Sequence, residues 1–183
     1  MKIKSLIVII ILLLTAALFA EDSKYIKFSE PEFNYYLMYP KIFDKMPIKE
    51  TDKGMRLKLM DKGRASLIQV IAYDYSSKET KAPDAKDFLE FMEKLMIEEN
   101  LLSEEKKTLP EDLMKEIGAS SSAVGLYIDY QQDSEKPLVS EIIVLSKGVN
   151  IYIFNVIFEL KDRRWVEPVF KEIVKSFRIT VSM

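Results

Sequence analysis

Three polar side chains set in apolar stretches of the second half of the chain have types suited to acid–base or cation chemistry: Asp129, Glu141 and Asn155. A couple formed by Asp129 and Glu141 would suit hydrolysis or a hard cation. Asn155, breaking the apolar parity Val149-Ile151-Ile153-Ile157, would supply a polar group to a ligand pocket. All three fall in apolar strands, where a polar side chain must find a partner. Their spacing carries no signature of either chemistry. A solvated strand end for Asp129 and a satisfied structural amide for Asn155 therefore stand beside the functional reading.

The chain lacks the usual helpers. Among its 183 residues there is no His and no Cys. This excludes imidazole bases, thiol nucleophiles, disulfides and zinc-finger or haem-attachment motifs. Phosphate-binding glycine loops, HExxH, GxSxG and EF-hand patterns are also absent from the sequence. Ser120-Ser121-Ser122 reads as a loop entering a strand. Tyr35, Tyr36 and Tyr39, with Tyr73 and Tyr75, could line an aromatic pocket, but core packing and edge cover are the plainer use of strand aromatics. No cofactor or metal is expected, and the chain is not expected to be an enzyme; a carboxylate- or metal-dependent hydrolase or a small-ligand binder is the alternative.

Charge offers a different kind of site. Residues 41–64 hold eight bases, Lys58, Lys62 and Arg64 among them, against four acids, whereas residues 84–116 hold 11 acids and five bases. Such a dipolar chain can orient against an acidic partner or an anionic envelope surface. Lys58, Lys62 and Arg64 are the candidate partner surface. Nothing in the balance suits nucleic acid.

The N-terminus has the parts of an export signal. Lys2 and Lys4 precede an apolar run from Leu6 to Leu14, and Ala20 stands before the polar Glu21-Asp22. Cleavage after Ala20 is expected, leaving residues 21–183 as one soluble, periplasmic or extracellular domain. Retention of residues 6–20 as a membrane anchor is the alternative, although that apolar stretch is short of the roughly 20 residues that span a bilayer. Loss of Lys2 and Lys4 would take the net charge from −2 to −4.

These candidates have to be placed by strands and helices. Strands are expected at Phe33 to Tyr39, Met55 to Leu59, Ala65 to Tyr73, Ala123 to Tyr130, Leu138 to Leu145 and Val149 to Phe158. Gly63 marks a hairpin turn between the second and third. A helix capped by Asp84 carries Phe88, Phe91, Met92, Leu95 and Met96 at helical spacing. A short helix from Thr108 ends at Gly118, with Leu109, Leu113 and Met114 as its apolar face. A last helix carries Trp165 to Phe177, beginning near Glu167 with Pro168 in its first turn, or kinking there. Strands apolar on both faces need cover on both faces. The expected fold is therefore α+β, a three-layer α/β/α sandwich around a central antiparallel sheet of about six strands.

The order β-β-β-α-β-β-β-α carries specific residues with it. Tyr35-Tyr36-Leu37-Met38-Tyr39-Pro40 followed by Phe43, the strand Leu67 to Tyr73, and the run from Trp165 through Ser176-Phe177-Arg178-Ile179 resemble the PsbP-like α/β/α sandwich family. That resemblance implies the same fold and a binding or assembly role, as most members have. It carries over no metal residues, since the family's metal proposals involve histidine. The expectation is an exported, non-catalytic module contacting a protein or envelope partner.

Overall fold

The computed structural model describes residues 24–76, 82–97, 102–129 and 136–180, with side chains 95–97 and 102–106 outside that description. The expected export segment, the side chains of Leu95 and Met96, Tyr130 and most of the 131–136 connection therefore lie outside the described residues. The elements run β1 Tyr25–Glu30, β2 Tyr35–Pro40, β3 Asp44–Lys45, β4 Met55–Asp61, β5 Ser66–Asp74, α1 Ala85–Ile97, β6 Leu102–Lys107 and α2 Glu111–Ile117. They continue through β7 Ser121–Asp129, β8 Leu138–Lys147, β9 Asn150–Glu159, a 3-10 turn Leu160–Asp162, α3 Arg163–Ser176 and β10 Arg178–Ile179.

Seven strands form an antiparallel sheet in the order β3-β4-β5-β9-β8-β7-β6. β9 lies at its centre, and its alternate residues feed two cores. Tyr152, Phe154, Val156 and Phe158 pack with Leu57, Leu59, Ile68 and Val70 beneath Val166, Phe170, Ile173 and Val174 of α3. Ile151 and Ile153 join Ile142, Val144 and Tyr127 beneath Ala85, Phe88 and Leu89 of α1. The three-layer sandwich follows from this two-sided strand, since each apolar face must be taken from water.

Tyr35 to Pro40 does not join the central sheet. It is the middle strand of a second sheet, β1-β2-β10, which shares the α3 layer. Ser176 at the end of α3 accepts the Met38 N–H at 2.8 Å, fixing helix to strand. β10 then pairs with β2 through Arg178 and Ile179. The short edge strands β3 and β6 extend the central sheet to seven.

The helix boundaries follow from their hydrogen bonds. Asp84 caps α1 as its sequence suggests, with Oδ1 accepting the Lys86 N–H at 2.9 Å. The buried face of α1 is Ala85, Phe88, Leu89 and Glu93, while Phe91, expected in the apolar stripe, is 58 % exposed. The stripe is rotated because Tyr127 donates its hydroxyl to Glu93 Oε1 at 2.8 Å, which makes that carboxylate an inward-facing residue. A Cβ on Gly125 would stand 2.2 Å from the Tyr127 Oη. Glycine is what lets this ring lie along its own strand.

α2 begins at Glu111, with Pro110 at its N-cap and no side-chain cap, later than the Thr108 start that the sequence suggests. Gly118 closes it in the left-handed region at φ 87°, its N–H bonded to Met114 O at 2.9 Å. α3 starts at Arg163 rather than near Glu167 and runs through Pro168. Trp165 and Val166 are already helical there, because Val166 must reach the core.

Candidate functional site

The sheet's two faces divide the sequence-derived residues. Leu126, Glu141 and Val156 stand in register on neighbouring strands, so Glu141 looks toward α3. Lys58, Gln69, Asn155 and Ile142 form the corresponding row on the α1 side. Asn155 Nδ2 donates to Gln69 Oε1 at 3.3 Å, and its Oδ1 accepts from Ser140 Oγ at 2.9 Å. It is a satisfied structural amide. Asp129, at the end of β7, has the parity of Tyr127 and therefore the α1 side. The carboxylate couple and the common polar pocket of Asp129, Glu141 and Asn155 are not formed. Strand alternation sends Glu141 to one face and the other two to the opposite one.

The cationic candidates are put to different uses. Lys58 lies in the row on the α1 side, and Lys62 pairs with Asp44 at 3.1 Å with both side chains exposed. The Arg64 guanidinium lies 3.7 Å from the centroid of the Trp165 ring and bonds Asp61 Oδ2 at 3.2 Å. Asp61 Oδ1 in turn accepts the Gly63 N–H at 2.9 Å. Arg64 thus clips the β4–β5 turn onto the start of α3, a structural use of its charge.

Glu141 itself marks a cleft. A cavity of about 310 Å³ lies between α3 on one side and the 107–113 segment on the other, over a floor of Val124, Leu126, Glu141 and Ile143. Leu109, Leu113 and Val174 complete its apolar wall. Ser122 Oγ accepts the Leu109 N–H at 3.0 Å and holds that wall in place. Glu141 is 6 % exposed, and its Oε2 is buried without a hydrogen-bond partner among the described residues. Burial pushes its carboxyl above the ordinary value of 4.5, a shift that Lys171, Arg163 and Lys107 oppose and Glu167 reinforces.

The mouth is charged in an ordered way. Arg163, Glu167 and Lys171 recur at helical i, i+4, i+8 spacing on α3. Glu167 accepts from Arg163 Nε at 3.1 Å and from Lys171 Nζ at 2.5 Å. Burial alone would raise Glu167, but these bonds outweigh it and hold the carboxyl below its ordinary value. A second, shallower depression of about 410 Å³ over α3 shares Arg163, Glu167, Lys171 and Lys175 with the cleft and adds Arg164, Pro168 and Glu172. Glu141, Leu109 and Leu113 stand out in the sequence by their patterns, whereas the i, i+4 charge stripe of α3 that meets them reads there as an ordinary solvated helix face.

Among the described residues, no group of three or more acidic side chains could hold a metal ion. No helix among them is long and apolar enough to cross a membrane.

No family model matches the chain, and no curated protein does. Solved structures share its fold at low identity. The solution structure of cyanobacterial PsbP (CyanoP) from Synechocystis is 12% identical, with a TM-score of 0.59 over 87% of this chain and 95% of that one. The Ran-binding protein Mog1p of Saccharomyces cerevisiae is 12% identical, with a TM-score of 0.56 over 85% of this chain and 95% of its own. A Bacteroides thetaiotaomicron protein matches at 11% identity and a TM-score of 0.54, covering 87% of this chain and 50% of that one. At such identities the likeness establishes a PsbP/Mog1-like fold.

Proposed function

We propose that this chain is an exported, non-catalytic binding module that holds a protein or cell-envelope partner at the cleft between α3 and the β7–β8 floor. One observation carries the reading: an apolar cavity of about 310 Å³ has in its lining a buried carboxylate, Glu141, whose Oε2 finds no hydrogen-bond partner among the described residues. A group kept dry and unsatisfied in this way costs stability, and a bound donor recovers that cost. Binding sites combine apolar walls with a few converging polar groups, as this cleft does.

The non-catalytic reading is supported by how the nearby polar groups are used. Glu167 is neutralised by two cations, and Ser122 accepts the backbone N–H of Leu109. The yeast neighbour is by name a Ran-binding protein, which accords with a binding module and names no partner here. Export rests on the basic and apolar N-terminal residues. The apolar wall of the cleft favours a small-ligand binder as the second reading.

A photo-crosslinking residue at Lys175, on the rim, is expected to trap one discrete partner in the native cells. Lys171→Glu should reduce that adduct at least about fivefold, since rim charges govern capture. The same probe at Gln69, on the α1 side, should trap no such partner. Adducts from Gln69 alone would move the binding surface to the other face and overturn the assignment.

A further inference from the structure

The shape and charge of the cleft also constrain its occupant. Its wall is apolar at Leu109, Leu113, Val124, Leu126, Ile143 and Val174, so whatever enters must be apolar along its length. In the floor, the buried Glu141 carboxylate lines the cleft, and its Oε2 accepts no hydrogen bond among the described residues. An apolar group reaching it would leave that oxygen unsatisfied, whereas a group tipped with N–H or O–H would satisfy it. A cationic tip is disfavoured, because the lining carries Lys107, Arg163, Lys171 and Lys175 against only Glu141 and Glu167. A neutral donor on an aromatic stem meets both demands.

Outside the mouth the cleft continues into the depression over α3. The residues that border the depression include Arg163, Arg164, Lys171 and Lys175 against Glu167 and Glu172, a net charge of +2. Arg164 is exposed and carries no ion pair among the described residues. Two joined depressions, one apolar with an acceptor in its floor and one basic, fit an extended chain better than a compact molecule.

Resting on the assignment of the cleft as the binding site, we infer that its occupant is an acidic peptide segment of a protein partner, which inserts one tryptophan or tyrosine toward Glu141 and lays Asp or Glu residues across the basic surface of α3. The indole N–H or phenol O–H donates to the Glu141 carboxylate. The flanking carboxylates lie near Arg163, Arg164 and Lys171. The anchor supplies contact area at low entropic cost, as buried aromatics do at interfaces.

The test is selection from a display library of random nine-residue peptides on the immobilised full chain. The expected winners place Trp or Tyr among acidic residues, with Trp or Tyr preferred over Phe or Leu at least about tenfold, the worth of one hydrogen bond to a charged group. Glu141→Leu should abolish that donor preference while retaining apolar anchors, and Glu141→Gln should weaken it. Lys171→Glu should remove the acidic flanks. Enrichment of basic or donor-free peptides, no enrichment at all, or an unchanged preference with Glu141→Leu would each overturn the inference. So would binding to phosphatidylglycerol vesicles that depends on Lys171 and not on Glu141, because that outcome assigns the basic surface to a membrane. If the Lys175 adduct forms and responds to Lys171→Glu while the library fails, the cleft stands as the binding site and only the peptide chemistry falls.

Discussion

Phe177→Ala is expected to cost about 3–5 kcal/mol, the range for deleting a buried phenylalanine. The ring is 0 % exposed, just past the end of α3, at the point where the two sheets meet. It packs edge-on against Phe154 at 4.9 Å and Tyr152 at 5.4 Å, and tilted against Tyr35 at 5.0 Å. Two of these rings belong to the central strand β9 and one to β2, so the side chain joins the layers. Such aromatic pairs add about 0.5–1.5 kcal/mol each beyond the area they bury. Against a total stability of roughly 5–15 kcal/mol, the loss is a large share. Urea unfolding should show a lower midpoint with an unchanged slope. Phe91→Ala, at a side chain that is 58 % exposed, should stay within about 0.5 kcal/mol of the parent. Equal effects at the two positions would contradict the packing described.

Glu141→Leu is expected to stabilise the domain at neutral pH by about 1–3 kcal/mol, the usual cost of an unsatisfied buried acceptor, and Glu141→Gln by less, because the amide sheds the buried charge but keeps an acceptor and adds two donors. The dependence on pH has a definite sign. Burial raises the folded carboxyl above its ordinary value of 4.5, so between the two values the folded state holds more protons than the unfolded state. Unfolding free energy therefore falls as pH rises through that window. Below it the carboxyl is protonated in both states and the difference between Glu and Gln shrinks. Glu167, held below its ordinary value by Lys171 and Arg163, contributes in the opposite sense, and its stabilisation is lost as pH falls. Thermal melts of wild type and Glu141→Gln between about pH 4 and pH 7 separate the two carboxylates, because only the Glu141 contribution disappears in the variant. Parallel curves would mean that Glu141 is already satisfied. A residue that weakens the fold and lines a cleft is the pattern expected where stability is given up for binding.

The sequence showed more of the fold than of the site, and particular residues explain the difference. β5 and β9 alternate apolar residues on both parities, and only a sheet covered twice can bury them. β6, with the sequence LSEEKK, has no such pattern and becomes a strand through its pairing with β7, a tertiary cause that local reading cannot supply. β10 is two residues long and exists because α3 returns the chain to β2. Pro168 reads as the first turn of a helix, since proline is at home there, yet α3 already runs from Arg163.

The site divides along the same line. Glu141 interrupts the apolar parity of Val139, Ile143 and Leu145, which marks it from sequence alone. That Asn155 and Asp129 face away from it depends on a shared register across β7, β8 and β9, where one residue of slip reverses a face. That Lys171 and Arg163 approach Glu141 depends on where α3 crosses the sheet. Neither relation is local. Lys58, Lys62 and Arg64 formed a cluster by composition, whereas in space one joins a polar row, one pairs with Asp44 and one stacks on Trp165.

The central claim is that the face of the sheet under α3, and not the face under α1, receives the partner. Methyl-resolved NMR of the domain, titrated with the partner trapped from the Lys175 position, tests it directly. Shifts are expected at Leu109, Leu113, Val124, Leu126, Ile143 and Val174, with Leu67, Ile71 and Ile157 unmoved. Shifts confined to Leu67, Ile71 and Ile157 would contradict it.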